Sequence, residues 1–122
     1  VLAATAASAS AYKAFVTPTR NIGCVLEERS VRCDIRHHSW PTPRRPKSCE
    51  LDYGSGVVVG RSGRAQFVCA GDTVLEAGPV LRYGESIRKG RFRCASSELG
   101  VRCVNQRDGH GFLLSKQKVH LF

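Results

Sequence analysis

The chain has 122 residues, with 19 Lys and Arg against 10 Asp and Glu, and six cysteines. That length suits one domain rather than two, and 42% apolar residues supply a core and argue against disorder. Beyond the N-terminus no apolar run is long enough for a transmembrane helix, and a formal charge of +9 argues against basic proteins as partners and favours an anionic one.

Residues 1–11 contain six Ala, no charge and no starting Met. Ala9-Ser10-Ala11 matches the small-residue pattern of a signal-peptidase site. Residues 1–11 are therefore expected to be the remnant of a secretory signal peptide, cut before Tyr12. Residues 12–122 would then form a single secreted β domain. Export makes disulfides the natural state of Cys24, Cys33, Cys49, Cys69, Cys94 and Cys103. No C-x-x-C pair occurs, so neither a metal site nor a cofactor is expected.

Ala14-Phe15-Val16 reads as a short strand stopped by Pro18. The next segment, residues 22–33, matches residues 92–103 at a constant offset of 70. Both copies enclose eight residues between two cysteines and both end Val-Arg-Cys. Ile22, Cys24 and Leu26 alternate onto one face of a strand, and Val31, Cys33 and Ile35 do the same. A hairpin with Leu26 opposite Val31 places Cys24 opposite Cys33 and leaves the four-residue loop Glu27-Glu28-Arg29-Ser30. The second copy gives the loop Ser97-Glu98-Leu99-Gly100. Directly opposed cysteines are near enough to bridge, so the expected pairs are Cys24–Cys33, Cys94–Cys103 and, by remainder, Cys49–Cys69.

Between the copies, Val57-Val58-Val59 leads into the turn Gly60-Arg61-Ser62-Gly63, and residues 65–69 return from it. Thr73-Val74-Leu75 and Val80-Leu81-Arg82-Tyr83 read as two further short strands set off by Gly71-Asp72, Gly78-Pro79 and Gly84. The chain ends with Phe112-Leu113-Leu114 and residues 119–122. No stretch sustains a helical apolar period. The expected fold is all-β, a small disulfide-stapled antiparallel sandwich or barrel of about eight to ten short strands with two similar hairpins.

Two basic segments are candidates for ligand contact. Residues 36–47 carry four fixed positive charges, two His, the only Trp and three Pro, with no acid. Prolines pre-order such a loop, and Arg and Trp are the residues enriched in contact hot spots. Arg36, Trp40, Arg44 and Arg45 are the expected contacts; the alternative is a solvated loop with Trp40 packed on the core. A second run contains Arg82, Arg88, Lys89, Arg91 and Arg93. Arg91 and Arg93 flank Phe92, which predicts both on the outward face of one strand. Arg32 and Arg102 hold equivalent outward places in the two copies.

Catalysis needs an acid–base pair and a cation brought together. His110 in its Gly-rich turn, with Asp72 or Glu85 and an arginine, is the candidate set. Nothing in the spacing unites them, and no nucleophile elbow or phosphate loop is present.

The motifs Asn21-Ile22-Gly23-Cys24, Val31-Arg32-Cys33-Asp34-Ile35, Gly71-Asp72-Thr73, Leu81-Arg82-Tyr83-Gly84, Gly100-Val101-Arg102-Cys103-Val104-Asn105 and Gly109-His110-Gly111-Phe112 carry a resemblance. Taken together with Thr17-Pro18, Ala65, Phe67 and Cys69, they resemble a family of small exported actinobacterial proteins known only as a domain of unknown function. The resemblance implies export and disulfides and brings no activity. The expected role is binding of an anionic envelope or extracellular component by a secreted monomer. Nucleic acid is not the expected partner. A small basic nuclease or hydrolase, and an inhibitor of a secreted enzyme, are the alternatives.

Overall fold

Apolar residues recur at every second position in several short segments, and there the backbone forms strands. A computed structural model describes residues 12–122; the expected signal remnant lies outside the described residues. Among these, ten strands form two antiparallel sheets, and there is no helix. The first sheet holds β1 (Tyr12–Val16), β2 (Ile22–Glu27), β3 (Ser30–Ile35), β4 (Asp52–Gly60) and β5 (Gln66–Ala70). The second holds β6 (Ser86–Lys89), β7 (Phe92–Ser97), β8 (Gly100–Asn105), β9 (Gly111–Leu114) and β10 (Val119–Leu121). Each sheet is a meander, ordered β1-β2-β3-β4-β5 and β10-β9-β8-β7-β6. The all-β expectation holds, as a two-sheet sandwich.

The two repeated hairpins form the middle of the sandwich. Cys24 is the register partner of Cys33, and Cys94 of Cys103. Both pairs are disulfide-bonded with Cα atoms 4.1 Å apart, the closeness of directly opposed side chains on one face. The four sulfurs are fully buried, and Cys33 Sγ lies 3.8 Å from Cys103 Sγ across the core. Phe15, Leu26, Val31, Val57, Phe92, Val101, Phe112 and Leu114 pack around this contact. The hairpin strands run further into their loops than the spacing suggests. Ser97 pairs with Gly100, so Glu98 and Leu99 alone turn the second hairpin. Gly100 takes φ +119° there, where an added Cβ would strike the carbonyl oxygen of Leu114.

Thr73-Val74-Leu75 and Val80–Tyr83 are not strands. Residues 71–79 instead cross the outer face of the first sheet as a strap that leads to β6. Their polar backbone groups find local partners, side chains or a single β1 residue, Val16. Val74 N–H donates to Asp34 Oδ2 at 3.1 Å, Leu75 N–H to Thr73 Oγ1 at 3.1 Å, and Val16 N–H to the Pro79 carbonyl at 2.8 Å. Only Val80 forms a bridge, to Val16. Arg32 clamps the strap. Its guanidinium donates to both oxygens of Asp34 at 3.0 and 2.9 Å, and to the Asp72 carboxylate and carbonyl at 3.0 Å each. Asp34 is only 4% exposed, so its charge depends on that fork. Gly23 gives the strap room, since a Cβ there would meet the Val74 carbonyl oxygen.

Residues 36–51 seal the opposite side, between the β5 and β10 edges. Trp40 is 9% exposed and its indole N–H donates to the Ser115 carbonyl at 2.9 Å. The His38 ring stacks on it with centroids 3.5 Å apart, and Cys49–Cys69 ties the segment to β5.

The hairpin copies thus use their matched arginines differently. Arg102 lies 4.7 Å above the Phe122 ring, a contact worth about 1 kcal/mol or less at an exposed site. Arg32→Ala strands a buried carboxylate and is expected to destabilise the domain by about 3 kcal/mol; Arg102→Ala should cost about 1 kcal/mol or less. Urea unfolding of the two variants reads the difference, and equal costs would refute the clamp. The Arg32 hydrogen bond also holds the Asp72 carboxyl below its ordinary value. Because the folded value is the lower one, the stabilisation from Asp72 is present at neutral pH and fades as pH falls through its folded value. Asp72→Asn should flatten that acid limb of the stability curve.

Candidate anion-binding site

The turns at one end of the sandwich collect the arginines. Strand direction puts the β2–β3, β4–β5, β6–β7 and β8–β9 turns at this same end. They enclose a recess of about 450 Å³ lined by Arg61, Arg88, Arg91 and Arg107, with Glu28, Gly90 and Gln106. Arg61 comes from the first sheet, and the other three arginines from turns and strand ends of the second.

A single buried side chain joins two of these turns, and the backbone beside it holds a third. Asn105 closes β8 with no exposed surface, at the position that Ile35 holds in the first repeat copy. Its amide donates to the carbonyls of Gly60 at 3.1 Å and Arg61 at 3.2 Å. Its Oδ1 accepts from the Arg107 N–H at 3.0 Å. Next to it, Gln106 N–H donates to the Arg91 carbonyl at 2.7 Å. The Arg61, Arg91 and Arg107 backbones are thereby fixed relative to one another.

Two guanidinium groups are also held in place. Arg88 Nε donates to the Gly90 carbonyl at 3.2 Å, and Arg91 Nη1 to the Arg61 carbonyl at 3.2 Å. Each keeps further N–H groups for a ligand. Among the described residues none of these four arginines forms an ion pair, whereas Arg32, Arg36 and Arg82 all pair with acids. The Arg91 guanidinium is pushed below its ordinary value by desolvation and then by the nearby charges of Arg61 and Arg107, with Asp108 and Glu28 opposing. On the adjoining sheet face Arg88 is the register partner of Arg93, and like charges directly opposite repel.

The structure distributes the sequence-derived site residues widely. Arg93 is exposed on β7, next to Arg88. Arg91 is not on that strand but in the β6–β7 turn, because β7 begins at Phe92. Trp40 is inside the core and offers no open face. Arg44 and Arg45 are exposed on the segment that covers the β5 and β10 edges. Arg36 is paired with Glu76 at 3.1 Å and donates to the Arg20 carbonyl at 3.3 Å. Asp72 belongs to the strap on the first sheet, whereas His110 sits in the β8–β9 turn of the second, its N–H bonded to Asp108 Oδ1 at 3.0 Å. These two do not form an acid–base pair. Arg61, Arg107 and Asn105 are absent from the sequence-derived set. The available signal was Asn105, a polar residue at an inward place that its partner copy fills with Ile35.

Replacing Asn105 by Ala leaves the Arg107 N–H and the Gly60 and Arg61 carbonyls without their partner. Unfolding free energy should drop by about 1–3 kcal/mol, and amide exchange should quicken in the 60–61 and 105–109 turns before the central strands. Uniformly faster exchange over both sheets would contradict a local role.

No curated protein and no solved structure matches the chain. The family model described as "Family of unknown function (DUF6636)" matches residues 1–122, and the chain belongs to that family.

Proposed function

We propose that this is an exported, disulfide-bonded binding protein that contacts an anionic envelope or extracellular component through the arginine recess at the turn end. The observation that carries this reading is four arginines lining one recess, none of them in an ion pair among the described residues. Such a cluster is electrostatically costly by itself and is relieved by an anion. Export is supported by three disulfides, which persist in oxidising compartments. Among the described residues no helix is long and apolar enough to cross a membrane. A monomer with its mature N-terminus at Tyr12 completes the proposal, and N-terminal sequencing of protein recovered from culture medium checks that start.

Binding to an acidic polysaccharide is the direct test. Affinity should fall steeply between low and moderate salt. The double variant Arg61→Gln/Arg107→Gln should lose about tenfold or more, since hydrogen bonds to charged groups are worth about 1.5–3 kcal/mol each. Arg44→Gln/Arg45→Gln should lose less. Salt-independent binding, or an equal loss in both double variants, would refute the assignment to this recess.

A further inference from the structure

We infer that the recess takes one dianionic tetrahedral oxyanion, the terminal phosphate of a phosphate monoester. This rests on the anion-binding reading above and specifies the group bound. Charge sets the valence. Four arginines and one acid, Glu28, line the recess, a net of three positive charges. A dianion relieves more of that excess than a carboxylate or a phosphodiester, which carry one charge each.

Geometry sets the shape. The arginines border the recess from both sheets, Arg61 from the β4–β5 turn, Arg88 from the end of β6, Arg91 from the β6–β7 turn and Arg107 from the β8–β9 turn, so they line it from different sides. A tetrahedral anion offers oxygens along several directions, whereas a carboxylate presents two in one plane. Arg88 and Arg91 are already fixed by their backbone partners, which lowers the ordering cost of binding. Arg61 and Arg107 are fixed through their backbones alone, by Asn105, and their side chains are left to close on the ligand. Gly90 takes φ +57°, the left-handed backbone that glycine adopts without strain, and so turns the chain between Arg88 and Arg91.

Calorimetric titration with glycerol phosphate, dimethyl phosphate, acetate and inorganic sulfate at constant ionic strength tests the inference. Glycerol phosphate should bind about tenfold or more tightly than dimethyl phosphate or acetate. Its affinity should rise as pH increases through the second phosphate ionisation at about 6. Sulfate is a dianion throughout, so its affinity should not rise over the same range. The titratable or charged groups near the recess include His110 in the β8–β9 turn, Arg61, Arg64, Arg88, Arg91, Arg93, Arg107, Glu28 and Asp108. A contribution from these groups would act on sulfate and phosphate alike, so the sulfate titration isolates the ionisation of the phosphate itself.

Arg61→Gln and Arg107→Gln should each lower glycerol phosphate affinity about tenfold. Arg82→Gln, at a distant ion pair, should leave it unchanged. Vesicles bearing phosphatidic acid compared with phosphatidylglycerol at matched surface charge locate the source. Preference for phosphatidic acid assigns a lipid head group, and binding of glycerol phosphate without that preference assigns a soluble or glycan-borne monoester. Either upholds the dianion. Acetate binding as tightly as glycerol phosphate, or a pH-independent phosphate affinity, overturns the monoester while leaving the anion-binding reading intact. Polysaccharide binding that survives in Arg61→Gln/Arg107→Gln overturns that reading itself.

Discussion

The contact between two disulfides at the centre of the core governs the rest of the molecule. Each one pins a hairpin in a single register, and Cys33 Sγ against Cys103 Sγ at 3.8 Å sets the sheets face to face. Register in a half-buried sheet decides everything about side-chain direction, because a slip of one residue exchanges the two faces. With Cys24, Cys33, Cys94 and Cys103 inward, Arg32, Arg93 and Arg102 must point outward. The strand ends then fall where the arginine-bearing turns share one end of the sandwich.

On that frame, buried polar groups appear where two parts of the chain must be joined. Asp34 and Arg32 hold the strap over the first sheet, and Gly23 and Gly56 supply the space. A Cβ at Gly56 would occupy the place of Asp34 Oδ1. Asn105 joins the two sheets at the turn end. Both arrangements place polar atoms in low dielectric, where complete hydrogen bonding determines whether they stabilise or destabilise. The arginine recess follows the opposite logic. Its like charges are held close and form no ion pair among the described residues, although Glu28 and Asp108 lie nearby, a local cost compatible with a site built for something outside the chain.

Strand alternation and the 70-residue offset were enough to read an all-β fold and two related hairpins. These are local properties, since a cross-strand pair depends only on spacing within one hairpin. The strap was misread for an equally local reason. Thr73-Val74-Leu75 is β-branched and apolar, but its backbone is bonded by Asp34 and Thr73 side chains instead of a strand. Trp40 carried two readings in sequence, surface contact or core plug, and no local pattern chooses between them. Its partner, the Ser115 carbonyl, lies 75 residues away.

The candidate site was legible only in part, for the same reason. Arg91 and Arg93 stood out because they are clustered in sequence. Arg61 and Arg107 did not, since each is one arginine in an ordinary turn. What the sequence determined by itself was the disulfide-compatible hairpin spacing, the inward and outward faces, and an excess of positive charge. The tertiary structure decided where that charge accumulates, because only the stacking of two meanders brings turns separated by tens of residues around one recess.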